Sequence, residues 1–137
     1  MPPIKTIHVF GDPVDVLVDA ATSKGLSTVL VHLVSPGGGP PPHHHTREDE
    51  TFTPLEGNFE MLYDGKWHPF AAGETIFCPR NNVHTFRNAG STPARLLMFI
   101  TPGGFENFLE QIGLLSPATD MTKMIEIAAS YGITFDL

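Results

Sequence analysis

The sequence predicts an all-β fold, a jelly-roll barrel followed by short C-terminal helices, and three observations carry that expectation. Many short apolar, β-branched segments follow one another at close spacing, each bounded by Gly, Pro or Asn, as a closed antiparallel barrel requires. Asp64-Gly65 stands between two of them and is a two-residue hairpin signal. Beyond Pro102 the hydrophobic period lengthens from that of a strand to that of a helix.

In chain order, Ile4 to Phe10 and Ser27 to Val34 are apolar and β-branched enough for strands, and Ser23-Lys24-Gly25 marks a turn between them. Gly37-Gly38-Gly39-Pro40-Pro41-Pro42 lacks the Lys and Ser/Thr of a phosphate loop, and its prolines have no N–H to donate. It reads as a stiff lead-in to the strand that follows. Asp64-Gly65 joins Asn58–Tyr63 to Lys66–Phe70, because such a turn suits the twist of paired strands. Thr75 to Cys78, Val83 to Asn88 and Ala94 to Thr101 supply further strands.

The tail is helical by period. Phe105, Phe108, Leu109 and Ile112 fall at i, i+3, i+4 and i+7 and give one apolar face. Ser116-Pro117 offers an N-cap and first helical residue for a second helix. Met121, Met124, Ile125 and Ala128 form its stripe, and Gly132 is its stop. These stripes read as packing surfaces. One domain over residues 1–137 is expected, with a barrel core at about 25–103 and a helical tail at about 104–132.

Composition excludes several functions. Net charge is −7, so the chain repels phosphate backbones and has no basic stripe for nucleic acid. No apolar run approaches a membrane span, and the N-terminus has no long apolar leader core, so a cytoplasmic location is the expectation. Cys78 is the single cysteine, which rules out an intrachain disulfide and a thiolate zinc site; it reads as a buried strand residue. No nucleophile elbow or dinucleotide fingerprint is present. Small-molecule partners are favoured.

Chemistry concentrates in two blocks. The first runs Gly37, five residues, His43, one, His45, four, Glu50, six, Gly57; the second runs Gly73, five residues, Pro79, four, His84, three, Asn88. His43 and His45 leave the same face of an extended strand and His44 leaves the other. Parity does not separate Glu48 from Glu50, but the spacing to Gly57 favours Glu50, leaving Glu48 and Asp49 as solvated residues. In the segment from Val83 to Asn88, alternation puts His84, Phe86 and Asn88 on one face and Thr85 and Arg87 on the other. Three imidazoles and one carboxylate from separate hairpins suit one divalent transition metal, Fe, Mn, Ni, Co, Cu or Zn, with positions left for substrate. His8, His32 and His68 lack such company and read as surface or structural, although His32 lies on a strand that can approach the site.

Both blocks resemble the paired motifs of the cupin superfamily, over roughly residues 25–103. The tail, with Gly103-Gly104-Phe105-Glu106 and Tyr131-Gly132-Ile133, resembles single-domain cupins grouped with quercetin (flavonol) dioxygenases. One departure is Asn81, where the second motif usually has glycine; Asn tolerates left-handed backbone, so the turn is expected to survive. The resemblance implies a cupin jelly roll with His43, His45, Glu50 and His84 as metal ligands. It also implies that Glu50 takes a substrate hydroxyl proton before oxygen adds. An apolar pocket lined by Phe52, Phe86 and Met98 is expected from strand parity.

Three functions follow. The first is a metal-dependent dioxygenase acting on a flavonol-like or other enolisable molecule. The second is a non-oxidative isomerase or cyclase using the same metal, and the third is a metal- and ligand-binding barrel without catalysis. Uncovered strand edges and the apolar tail helices favour a homodimer.

Overall fold

Asp64 and Gly65 both have positive φ, 52° and 73°, as a tight hairpin turn with right-handed strand twist demands. The turn pairs Tyr63 with Lys66 and sets the register of the hairpin back to Asn58 opposite Ala71. Residues 2–137 are described by a computed structural model. In chain order the elements are β1 (Lys5–Val9), β2 (Asp12–Val18), α1 (Ala20–Ser23), β3 (Thr28–Val34), β4 (His43–His45), β5 (Asp49–Pro54) and β6 (Asn58–Tyr63). There follow β7 (Lys66–Ala71), β8 (Ile76–Cys78), β9 (His84–Asn88), β10 (Ala94–Thr101), α2 (Phe105–Ile112), α3 (Met121–Ser130) and β11 (Ile133–Phe135).

The strands form two antiparallel sheets, a jelly-roll arrangement of the all-β class. The six-stranded sheet has the order β1-β2-β3-β10-β5-β8 and the five-stranded sheet the order β11-β4-β9-β6-β7. Alternation along β10 is regular: Ala94, Leu96, Met98 and Ile100 are buried while Arg95 and Phe99 face outward. The inward side chains of the two sheets meet in one core, with Leu30, Phe52, Leu96 and Ile100 from one and Phe59 and Met61 from the other almost completely buried. Each such side chain contributes about 1.5–3 kcal/mol by leaving water.

Pairing extends beyond the span at 25–103. β1 and β2 join the six-stranded sheet through β3, and the C-terminal β11 pairs with β4, Ile133 opposite His45 and Phe135 opposite His43. β2 escapes the sequence pattern because Pro13 and two aspartates interrupt its apolar alternation. β11 escapes it because three residues are too few to show a period.

The Gly-Pro segment fits tightly over β9. Gly37 N–H donates to the Asn88 carbonyl (2.9 Å), Asn88 N–H to the Gly38 carbonyl (3.0 Å) and Thr85 Oγ1 to the Pro40 carbonyl (2.5 Å). A Cβ on Gly39 would lie 1.8 Å from the Phe86 carbonyl oxygen, so only glycine allows this approach. The segment therefore delivers the chain to β4 along a fixed path.

The helices cover one end of the barrel. Phe105, Phe108, Leu109 and Ile112 of α2 are buried, and the helix packs against β1 and α3. Glu106, on the same helix, is also buried; it accepts from Ala20 N–H (2.9 Å) and Thr28 Oγ1 (2.5 Å), so its carboxylate ties α2 to α1 and β3. The second helix begins later than Ser116-Pro117. Ser116 N–H donates to the Asp120 carboxylate and Asp120 N–H to the Ser116 carbonyl, both at 2.8 Å, which closes residues 116–120 into their own turn and starts α3 at Met121. Its stripe is also narrower than the sequence implies, because Met124 and Ala128 are buried while Ile125 is 43% exposed. Among the described residues, no helix is long and apolar enough to cross a membrane.

Candidate metal centre

β4 carries three consecutive histidines and the pleat separates them. His43 and His45 are buried, and His44 turns to the opposite face, where its Nδ1 lies 2.9 Å from Asp136 Oδ2. β9 pairs with β4 so that His84 stands opposite His43. Glu50 comes from β5 of the other sheet and crosses the interior to them. One ligand atom from each of His43, His45, Glu50 and His84 lies within 4.8 Å of the others, and all four residues are buried. The β4 alternation and the Gly-Pro approach to it position this cluster.

The outer nitrogens are held. His43 Nδ1 donates to the Pro41 carbonyl (2.8 Å) and His84 Nδ1 to the Asn82 carbonyl (2.9 Å), since a carbonyl can only accept. His45 Nδ1 lies 3.0 Å from Glu48 Oε1, and its proton goes to that carboxylate. Such acceptors fix each tautomer with the Nε2 lone pair turned inward. Glu48 is thus a buried orienting carboxylate, 8% exposed, and not a solvated residue. The sequence missed it because parity separates Glu48 from β4 by a turn; the Glu three residues after a ligand histidine was the available signal. Asp49 behaves differently, pairing with Arg80 at the surface (3.1 Å). Asn81 has φ 69°, and its N–H donates to the His45 carbonyl (2.6 Å), so the left-handed turn survives without glycine.

Inside the cluster the donors face one another. His84 Nε2 is 3.0 Å and His45 Nε2 2.8 Å from Glu50 Oε1, yet His45 Nε2 makes no hydrogen bond and is a buried nitrogen without a partner. Three lone pairs and a carboxylate converging in a dry interior call for a cation. Without one, a proton is taken up. Burial opposes charging His45, but the adjacent Glu50 carboxylate together with Glu48 outweighs it and pushes His45 up to about 9. Burial also works against the Glu50 carboxylate, but His45 and His84 hold it well below the usual range. Burial, with the neighbouring His84, pushes His43 down to about 4 and so keeps it neutral. The cluster can hold one divalent metal through His43, His45, Glu50 and His84, and an orphaned buried nitrogen beside a carboxylate is what such an ion satisfies.

A cavity of about 250 Å³ opens onto the cluster, with His43 and Glu50 in its wall. Phe52, Phe86 and Met98 line it, together with Phe105 and Phe108 from α2. Neither lysine nor arginine is among the lining residues. Besides the cluster, the charged or titratable groups in the wall are Asp12 and His32. His8 is exposed and His68 stacks on Tyr63 with ring centroids 3.8 Å apart, so neither joins the site.

Comparison with known proteins places this geometry. The family model described as the cupin domain matches residues 30–100. Protein SchB of Streptomyces halstedii is 31% identical over 72 residues, covering 53% of this chain and 52% of that protein, so the chain spans about half the length of this curated relative. A predicted oxalate decarboxylase from Thermotoga maritima superposes with TM-score 0.64 at 22% identity, covering 74% of this chain and 93% of that one. A sugar phosphate isomerase of the cupin superfamily from Silicibacter pomeroyi superposes with TM-score 0.56 at 25% identity, covering 64% of this chain and 59% of that one.

Proposed function

The chain belongs to the cupin family, and from that premise we propose that it is a metal-dependent dioxygenase acting on an enolisable, largely apolar small molecule. The observation that carries this reading is the cavity: its wall joins an ionised Glu50 and the metal-binding cluster to an aromatic interior free of Lys and Arg. A sugar phosphate needs cationic side chains for its phosphoryl group besides a metal, and this wall holds neither Lys nor Arg. An apolar cavity of about 150 Å³ takes up benzene, so 250 Å³ suits a molecule of about one to two rings.

His43, His45, Glu50 and His84 would hold a divalent transition metal, which would supply Lewis acidity to ease loss of a proton from an enol hydroxyl. Glu50 accepts that proton at Oε1 or Oε2, and His45 and His84 stabilise the surrounding charge. Phe52, Phe86 and Met98 hold the rings and exclude water. Dioxygen is the second substrate, and both of its atoms enter the product as the enolate is oxidised. A non-oxidative isomerase or cyclase is the second reading, because Glu50 can relocate a proton without any oxidant. The chain acts as a homodimer in this proposal, through the apolar outer face of the six-stranded sheet.

The test is elemental analysis of the purified protein, then turnover of an enol panel in air and under argon. Oxygen uptake matching substrate loss supports the dioxygenase. Turnover that is equal under argon identifies the isomerase or cyclase, and tight binding without turnover in either atmosphere identifies a binding protein. Glu50→Gln, with metal content equalised, is expected to turn over about a hundredfold more slowly or worse, the scale of a positioned general base. Near-normal turnover would reduce Glu50 to a ligand.

A further inference from the structure

The cavity has a second polar end. His32 on β3 points inward in phase with Leu30 and Val34, and Asp12 on β2 points inward in phase with Val14 and Val16. The β2–β3 register sets Val14 opposite His32, which brings the two polar residues together at the rim of the cavity. His32 Nε2 lies 3.1 Å from Asp12 Oδ2, and Asp12 is itself anchored by the Ser35 hydroxyl on Oδ1 and, at 3.4 Å, by Ser35 N–H. Both side chains are largely buried, at 13% and 17% exposure. A carboxylate facing inward at a barrel wall has to be paired, and His32 with Ser35 pairs this one.

The pair is separated from the metal cluster by two aromatic rings in series. His84 contacts Phe52 (5.7 Å between centroids), Phe52 contacts Phe86 (5.8 Å), and Phe86 meets the His32 ring edge-on (5.9 Å). The carboxylate of Asp12 accepts the Nε2 proton of His32, which leaves Nδ1 as a lone-pair acceptor. Among the described residues the ring's hydrogen bond is the one to Asp12, and His32 stands in the cavity wall. Burial lowers the His32 pKa against the opposing pull of Asp12, so the ring is neutral and accepting at physiological pH.

We propose that His32, held in one tautomer by Asp12, accepts a hydrogen bond from a hydroxyl on the end of the substrate remote from the metal, and so selects two-ring enols that carry a distal phenol. This rests on the dioxygenase or enol-binding reading above and deepens it, because it fixes the length and the far-end chemistry of the substrate. Asp12 and Ser35 are positioning residues in this arrangement. The selected molecule places its chelating oxygens toward Glu50 and the three histidines, its rings against Phe52 and Phe86, and its hydroxyl at His32.

The test compares two compounds that differ by one distal hydroxyl, 3-hydroxychromone and 3,7-dihydroxychromone, titrated by calorimetry into the metal-loaded protein under argon. The wild-type protein is expected to bind the 7-hydroxy compound about tenfold more tightly, the worth of one added hydrogen bond. His32→Phe should bring the ratio of the two affinities to about one. Asp12→Asn should reduce that ratio, and it serves as the second variant if His32→Phe fails to fold. A preference that persists in both variants, or equal binding of both compounds by the wild type, overturns the role of His32 and leaves the enol reading standing. Failure of the wild type to bind either compound overturns the enol reading and this inference with it.

Discussion

His43 and His45 stand on either side of His44, and the strand pleat alone separates their fates. Alanine at His43, His45 or His84 is expected to remove most bound metal, while His44→Ala, which loses only the Asp136 contact, keeps it. Elemental analysis of folded protein checks this, and equal metal in all four variants would refute the ligand assignment. Glu48→Gln keeps all four ligands but loses the charged acceptor for His45 Nδ1, so metal affinity should fall by about 10–100-fold. Competition against a chelator measures it. Cys78 is 1% exposed and sits opposite Glu50 in the β5–β8 register. Burial, with the Glu50 charge, pushes its thiol up to about 12, so the thiolate is absent at neutral pH. Iodoacetamide at pH 8 should label it only after denaturation; rapid labelling of native protein would contradict its inert, buried role.

At the scale of elements, β11 is a three-residue strand with a disproportionate effect. It pairs along the whole of β4, and β4 carries two of the four ligands. Without it, β4 would keep the pairing of His43 opposite His84 and the Asn81 N–H bond to the His45 carbonyl, and would become a sheet edge. Deleting residues 133–137 is therefore expected to weaken metal binding by about tenfold or more while the remaining strands still pair. Circular dichroism with chelator competition separates the two effects. Near wild-type affinity would show that the Gly-Pro segment alone fixes β4. That segment is itself constrained, since Gly39 admits no Cβ beside the Phe86 carbonyl.

Across the whole molecule, the outer face of the six-stranded sheet leaves large apolar side chains exposed. Phe99 pairs with Thr51 and Thr51 with Phe77, so two aromatic side chains, 45% and 59% exposed, lie in one cross-strand row of this face on either side of Thr51. Val29 continues that row on β3, and Leu97 opposite Val31 forms the next. A face of this kind packs well against a copy of itself about a two-fold axis. Light scattering is expected to report the mass of two chains, shifting toward one in Phe99→Lys. A monomer mass at every concentration would contradict the homodimer.

How much of this was legible in the chain follows from which forces are local. The pleat acts within a few residues, so the common face of His43 and His45, the inward His84 and Phe86, and the Asp64-Gly65 turn could all be read from order alone. The Gly landmarks and the cupin spacings added Glu50 for the same reason. Glu48 was beyond that reach, because its proximity to His45 depends on a turn closing and on water being excluded from it. The start of α3 was also hidden, since Ser116 and Asp120 bond each other in place of capping a helix at Pro117. Tertiary structure alone decided that β11 returns to β4 and that β2 sets Asp12 against His32, because strand pairing joins residues distant in sequence and its choice depends on the closed barrel. The sequence by itself determined which residues could bind a metal; the packing of two sheets decided what else faces the cavity they share.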